Sequence, residues 1–98
     1  MVKYTINGSA MTDHASAHDE LQRALDLPAH YGRNLDALWD CVSTMEGDAV
    51  LENADAMLTA LGGYGEKLIA VLKEAAERNT GFAFQTVGGD VSADKSAE

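Results

Sequence analysis

The chain has 98 residues and carries 16 acidic side chains against 7 basic ones, for a formal net charge of −9. This length fits one domain with a single core. The acidic balance argues against binding to nucleic acid or to anionic membranes, because contacts with phosphate need lysine and arginine. It favours a basic partner, whose encounter an acidic surface accelerates, although solubility alone also explains such a surface.

The single cysteine, Cys41, cannot form an internal disulfide, and small secreted domains usually depend on several. The first residues reach Asn7-Gly8 too soon to contain the apolar core of a signal peptide. No apolar run approaches the length of a membrane span. We therefore expect a cytoplasmic protein that binds no membrane.

The first two predicted elements are a strand and a helix. Val2, Tyr4 and Ile6 alternate with polar residues up to Asn7-Gly8, which is typical of a strand with one buried face. The helix that follows has Thr12 or Asp13 as its N-cap and ends before Pro28. Its apolar stripe consists of Ala17, Leu21, Ala24 and Leu25. The side chains predicted to face water are Asp19, Glu20, Gln22 and Arg23.

A second helix is predicted from the N-cap Asn34 to the region of Gly47, a residue type that favours helix ends. The remaining pattern predicts a buried strand at residues 49–51, helices at 54–61 and 66–78, and a last strand that begins at Phe82 and ends at Gly88-Gly89. The glycine-rich segment at residues 62–65 is predicted to be a flexible loop. It does not match a phosphate-binding P-loop, because the spacer and the Ser or Thr after the lysine are missing.

Three strands separated by helices predict parallel pairing through crossover connections. The predicted fold is α/β, a small three-stranded parallel sheet packed with about four helices that supply much of its cover. We assign residues 1–89 to this domain. Residues 90–98 are small and polar without periodicity, so we predict a disordered tail and assign it no function.

Two candidate chemical sites have simpler structural explanations. His14 and His18 have metal-ligand spacing on a helix, but no further Cys or His cluster completes a site, so a surface or packing role is favoured. Cys41 has no nearby histidine to activate it and follows Trp39, so we expect a residue in or near the core. The sequence therefore predicts neither a metal site nor a catalytic cysteine.

The second helix places Asp36, Asp40 and Ser43 in one outward row, at positions i, i+4 and i+7. Its inward stripe consists of Leu35, Leu38, Trp39, Val42 and Met45. Like charges at this spacing disfavour the isolated helix by roughly 0.2–0.5 kcal/mol, and only Asp36 benefits from the positive helix N-terminus. A pair without function is one explanation. A carboxylate-dependent hydrolase is another, although it would need a cleft that gives the two groups different environments. Presenting negative charge to a partner fits an exposed face better.

The segment that contains this row reads Leu27-Pro28-x-x-Tyr31-Gly32-x-Asn34-Leu35-Asp36-Ala37-Leu38-Trp39-Asp40-Cys41. This run resembles the signature of the barstar family, intracellular inhibitors of secreted ribonucleases. Shorter matches lie at Ile6-Asn7-Gly8, Val50-Leu51-Glu52 and Glu74-Ala75, so the resemblance spans about residues 2–88.

The resemblance implies a barstar-like fold whose second helix and preceding loop plug the active site of a basic, guanyl-specific ribonuclease of the barnase type. Asp40 would then take the place of a substrate phosphate, and Asp36 and Glu74 would add acidic contacts. Tyr31, Gly32 and Asn34 would shape the loop, with His30 and Ser43 at the interface. Such an inhibitor has no catalytic activity, needs no cofactor and is expected to be a monomer when free.

Three residues depart from what is common in the family and leave the target enzyme open. His30 stands where an aromatic residue is frequent, and Met45 where a tryptophan can contact the enzyme. Arg33 adds a positive charge where relatives often have an acidic residue, and it could repel a basic enzyme or point away from the contact. The alternative function is therefore an immunity or regulatory protein of the same fold that binds a different basic toxin or protein.

Overall fold

The computed structural model describes residues 2–88 of the chain, and the tail predicted at residues 90–98 lies outside this range. None of the helices in the described part has the length and apolar character needed to cross a membrane. The elements in chain order are β1 (Lys3–Asn7), a 3-10 turn (Gly8–Ala10), α1 (His14–Ala24), α2 (Leu35–Val42), β2 (Gly47–Glu52), α3 (Ala54–Leu61), α4 (Gly63–Arg78) and β3 (Phe82–Thr86).

The three strands form one parallel sheet in the order β1-β2-β3. In its register Tyr4 lies opposite Ala49, and Ala49 lies opposite Phe84 on the third strand. Because parallel neighbours cannot be joined by a tight turn, helices α1 and α2 connect β1 to β2, and helices α3 and α4 connect β2 to β3. The predicted α/β class, with a three-stranded parallel sheet and four α-helices, is confirmed.

One face of the sheet carries the core. Ile6, Leu51 and Phe82 are at most 3% exposed and belong to one cluster with apolar side chains from all four helices. On the opposite face Lys3 and Ala83 are exposed, whereas Val50 of the central strand is 8% exposed but lies outside this cluster. All four helices therefore pack on one side of the sheet, and α2 lies against α4 rather than on the far face.

Helix α1 begins at the N-cap Asp13, one of the two caps predicted. The Ser16 amide donates to Asp13 Oδ1 at 2.8 Å, and the Asp13 amide donates to Ser16 Oγ at 3.0 Å, so the two residues cap each other. The prediction that Glu20 faces water is wrong, because Glu20 is 7% exposed. Its carboxylate accepts the Asn7 amide at 2.8 Å and also the guanidinium of Arg23, and these bonds compensate its burial.

Helix α2 ends at Val42, earlier than the predicted end near Gly47. The reason lies far along the chain, because the Asn79 amide donates to the carbonyl oxygens of Val42 and Met45, at 3.1 and 2.7 Å. Carbonyl groups at the helix end thus receive a side-chain partner. Gly47 instead begins β2 with a φ of +130°, and a β-carbon at this position would lie 2.7 Å from the Tyr4 ring.

The predicted flexible loop at residues 62–65 is also wrong, because α4 already begins at Gly63. Gly62, with a φ of +57°, is the only residue between α3 and α4. Gly65 is buried, and a β-carbon there would lie 2.7 Å from Met57 Sδ on α3. The glycines therefore permit a sharp corner and a close helix contact, and they place Tyr64 in the first turn of α4.

Candidate protein-binding site

The loop at residues 28–34 is held by hydrogen bonds to its own backbone and to α1. The Tyr31 amide donates to the Pro28 carbonyl at 3.0 Å, and Gln22 Nε2 donates to the same oxygen at 2.9 Å. Tyr31 is 5% exposed, so its ring anchors the loop in the core. His30 and Gly32, on either side of it, are exposed. The loop therefore alternates between an inward anchor and outward residues that a partner can reach.

Asn34 joins this loop to α2. Its Oδ1 accepts the Ala37 amide at 2.7 Å, and its Nδ2 donates to the Gly32 carbonyl at 3.3 Å. The predicted N-cap is confirmed, and one side chain fixes both the start of the helix and the loop before it. A substitution at Asn34 would therefore disturb the geometry of the whole segment even if the side chain never met a partner.

Helix α2 presents its acidic row to solvent. Asp36 and Asp40 are exposed, while Leu38 and Val42 on the opposite side have no exposed surface. Ser43 is half-buried, and its hydroxyl donates to the Asp40 carbonyl at 3.2 Å. Within residues 2–88 neither aspartate carboxylate forms an ion pair or a hydrogen bond. Their charges are thus held in place by the helix and remain available to an external cation.

A groove between α2 and α4 brings Glu74 to the same surface. It has a volume of about 400 Å³ and is lined by Leu35, Asp36, Trp39, Ala70, Val71 and Glu74. Glu74 is 54% exposed and accepts a hydrogen bond from Arg78 Nε at 3.0 Å. The groove therefore has an apolar floor with a carboxylate on each helix. We call the surface formed by His30, Gly32, Asp36, Asp40, Ser43 and Glu74 the acidic face.

Arg33 is a basic residue that directly follows Gly32 of the acidic face in the sequence. Its Nη1 lies 2.7 Å from Asp19 Oδ1, and its Nη2 donates to the Ala15 carbonyl at 3.0 Å. Arg33 has a φ of +58°, a conformation that is uncommon outside glycine. The side chain is thus directed to α1, where Asp19 offsets its charge.

The two histidines of α1 are engaged with tyrosines. His18 is 2% exposed, and its ring nitrogens lie 2.7 Å from the Tyr31 hydroxyl and 2.6 Å from the Tyr64 hydroxyl. His14 stacks on the ring of Tyr64, with 3.7 Å between centroids. Residues 2–88 contain no group of three or more His, Cys, Asp or Glu side chains suited to a metal ion. Sequence reasoning missed the buried position of His18, although it lies three residues before Leu21 on the apolar stripe.

The acidic row does not have the geometry of a hydrolase site. Asp36 and Asp40 both lie on an exposed helix surface, and only Asp36 borders the groove. Two carboxyl groups that act as a catalytic acid and base need different environments, because these keep one group protonated and the other ionised. Burial, together with the charge of Asp40, raises the pKa of the Cys41 thiol, which keeps the thiol in its less nucleophilic form. This surface is therefore suited to binding rather than to catalysis.

The chain as a whole matches a family of known proteins. The family model described as "Barstar (barnase inhibitor)" matches residues 1–88. The chain belongs to the barstar family. A relative from Bacillus subtilis (strain 168), named "Putative ribonuclease inhibitor YrdF", is 40% identical over 80 residues, which cover 79% of this chain and 88% of the relative. The match includes the loop, α2 and α4, so every residue of the acidic face lies within the barstar domain.

Proposed function

We propose that this barstar-family protein inhibits a guanyl-specific ribonuclease by covering its basic active site with the acidic face. A ribonuclease-inhibitor role is supported by the family model and by the name of the Bacillus subtilis relative. Its most specific support from the structure is that Asp36 and Asp40 share an exposed helix surface with no partner for either carboxylate in the described chain. A ribonuclease must bind phosphate, so its active site attracts such a surface as it attracts RNA.

In this proposal Asp40 takes the place of a substrate phosphate. Its carboxylate offers two acceptor oxygens, which suit the paired N–H groups of an arginine. Binding removes Asp40 from water, and this desolvation is unfavourable unless charge-assisted hydrogen bonds replace the lost hydration. The Asn34 cap and the buried anchors Leu38 and Val42 keep the helix in position before the partner arrives, which reduces the entropy lost on binding.

The groove beside Asp36 extends the contact to α4. A basic side chain that enters it would lay its methylene groups over Leu35 and Trp39 and bring its charge between Asp36 and Glu74. Arginine can also stack on an indole ring, so Trp39 favours arginine over lysine in this position. The proposed partner surface therefore carries at least two cations, one at Asp40 and one at the groove.

An inhibition titration tests the proposal. Purified protein is added to a guanyl-specific ribonuclease acting on an RNA substrate, and activity is followed as the inhibitor concentration rises. We expect stoichiometric inhibition below micromolar concentration by the wild type. Asp40→Ala should weaken inhibition by at least 100-fold, because it leaves a buried cation of the enzyme without its partner, an effect of about 3–5 kcal/mol.

The matched control is Glu52→Gln, which removes one charge from an exposed residue at the end of β2, outside the acidic face. It should change the inhibition constant by less than about threefold, since it alters only the long-range field. Absence of inhibition by the wild type at micromolar concentration would rule out a guanyl-specific ribonuclease as the target. Equal inhibition by Asp40→Ala and wild type would place the contact elsewhere.

A further inference from the structure

A buried histidine joins three separate parts of the molecule. His18 of α1 has one ring nitrogen, Nδ1, at the hydroxyl of Tyr31 in the loop, and the other, Nε2, at the hydroxyl of Tyr64 in α4. Both contacts are shorter than 2.8 Å, and the imidazole is 2% exposed. A buried imidazole that uses both nitrogens is fully satisfied, so this bridge fixes the separation of the three elements.

The Tyr64 ring is itself fixed in place. His14 stacks on it with an interplanar angle of 19°, and Tyr64 lies in the first turn of α4, directly after the corner at Gly62. The other hydrogen bonds of the loop at residues 28–34 reach α1, the first turns of α2 or the loop itself, through Pro28, Arg33 and Asn34. Among the described residues, the Tyr31–His18–Tyr64 bridge is thus the hydrogen-bonded route from this loop to α4.

We infer that His18 and Tyr64 are positioning residues, which hold the partner-facing loop at a fixed place relative to α4, the helix that carries Glu74, and release it when the imidazole gains a proton. The consequence for ribonuclease inhibition rests on the proposed function, whereas the order of the loop does not. The Arg33–Asp19 ion pair ties the same loop to α1 and remains when the bridge opens. Release therefore means increased motion around Tyr31 rather than loss of the whole loop.

The hydrogen-bond pattern explains why a proton loosens the bridge. A neutral imidazole donates from one nitrogen and accepts at the other, so one tyrosine hydroxyl donates to it and the other accepts from it. An imidazolium donates from both nitrogens. The tyrosine that donated before must then turn its hydrogen elsewhere, and for Tyr31, which is 5% exposed, no other hydroxyl partner is present within residues 2–88.

The surrounding groups make the protonated form unfavourable. Burial lowers the pKa of His18, and the positive charges of Arg33 from the loop and His14 from the same helix act in the same direction. Asp19 on α1 opposes them. The groups facing the bridge from the other elements are Tyr64 on α4 and Cys41 on α2, the latter through Tyr31.

Amide hydrogen exchange tests the positioning role without any ribonuclease. The reporter is the protection factor of the Tyr31 amide, which donates to the Pro28 carbonyl and exchanges when the loop opens. Tyr64→Phe removes the hydroxyl and keeps the ring that stacks on His14. It should lower the protection factor of the Tyr31 amide by about 3- to 10-fold, the loss of one hydrogen bond. The control is Tyr4→Phe, whose hydroxyl donates to Glu46 at 3.4 Å, away from the loop.

The pH profile separates positioning from ordinary packing. After correction for intrinsic exchange rates, the wild-type protection factor of the Tyr31 amide should fall as the pH is lowered from 7.5 to 5.5. His18→Asn keeps a polar group near the Nδ1 position but does not titrate, so the Tyr31 protection factor of this variant should be independent of pH. The inference is overturned if Tyr64→Phe changes the protection of the Tyr31 amide no more than Tyr4→Phe does. It is also overturned if wild type and His18→Asn share the same pH dependence. Either result would leave a positive inhibition titration intact, so the two proposals fail separately.

Discussion

Arg33 in the loop and Asp19 on α1 form an ion pair, with 2.7 Å between Nη1 and Oδ1. On sequence grounds, the positive charge of Arg33 is unfavourable for binding to a basic partner. The pair directs the guanidinium to α1, and its second contact, with the Ala15 carbonyl, holds it there. A cation is thus tolerated in an otherwise acidic segment because an adjacent carboxylate offsets it.

Removal of the Asp19 carboxylate should make Arg33 repel a basic partner. We expect Asp19→Ala to weaken ribonuclease binding by about 3- to 10-fold, since an uncompensated Arg33 repels a basic surface. The double variant Asp19→Ala/Arg33→Ala should return to within about twofold of the wild type. Because the pair is exposed, neither change should alter the free energy of unfolding by more than about 1 kcal/mol. Binding measured at two salt concentrations checks this, and equal affinities for the single and double variants would contradict it.

The two carboxylates of the groove, Asp36 and Glu74, should contribute unequally to binding of a basic partner. Asp36 has no partner in the described chain, whereas Glu74 is already paired with Arg78. Asp36→Asn should therefore slow association and weaken binding by about 10-fold or more, while Glu74→Gln should have an effect below about fivefold. Glu77→Gln, an exposed neutralisation on the same helix, is the control. Association rates from stopped-flow fluorescence provide the comparison, and a larger effect at Glu74 than at Asp36 would refute this ranking.

Glu20 predicts a pH dependence of stability. Burial alone would raise its pKa, but hydrogen bonds from Arg23 and the Asn7 amide outweigh burial and lower the pKa below the ordinary 4.5. The unfolded chain then binds more protons in this range, so the stability that Glu20 contributes is present above pH 4.5 and is lost as the pH falls through the lowered value.

Denaturant titrations of wild type and Glu20→Gln from pH 7 to pH 3 measure this contribution. The variant should be about 1–2 kcal/mol less stable at pH 7, and the difference should shrink toward pH 3. Glu77→Gln, an exposed neutralisation on α4, controls for net charge. A difference that does not change with pH would show that the Glu20 carboxylate is not the titrating group.

Two glycines with opposite surroundings predict stability changes of opposite sign. A β-carbon at Gly8 would overlap the backbone carbonyl of Asn53 and lie 2.8 Å from the Glu52 oxygen, so Gly8→Ala should destabilise the fold by about 2–3 kcal/mol. Gly63 begins α4 with no atom near that position, so Gly63→Ala should stabilise by about 0.5–1 kcal/mol. Thermal unfolding of both variants tests this, and similar shifts in one direction would contradict the close approach at Gly8.

Local patterns predicted those features that depend on neighbouring residues. Alternation predicted the first and last strands, and a short apolar run predicted the central one. The cap at Asn34 predicted the start of α2, and helical spacing predicted that Asp36 and Asp40 lie on its exposed surface. Their contact with a partner stays a prediction.

The features that sequence reasoning missed depend on residues distant in the chain. Glu20 is buried because the Asn7 amide needs an acceptor, α2 ends early because Asn79 reaches its carbonyl groups, and Tyr64 meets His18 across 46 positions. The groove between Asp36 and Glu74 has the same origin, since it exists only when α2 packs on α4. No local pattern carries such information.

The central claim, that Asp40 occupies the phosphate site of a ribonuclease, is tested most directly by competition. The dissociation constant of the complex is measured at increasing concentrations of guanosine 3′-monophosphate, which fills the enzyme's active site. If Asp40 mimics the phosphate, the apparent dissociation constant should rise in proportion to nucleotide concentration for the wild type. A constant that does not change when the nucleotide saturates the enzyme would contradict the claim.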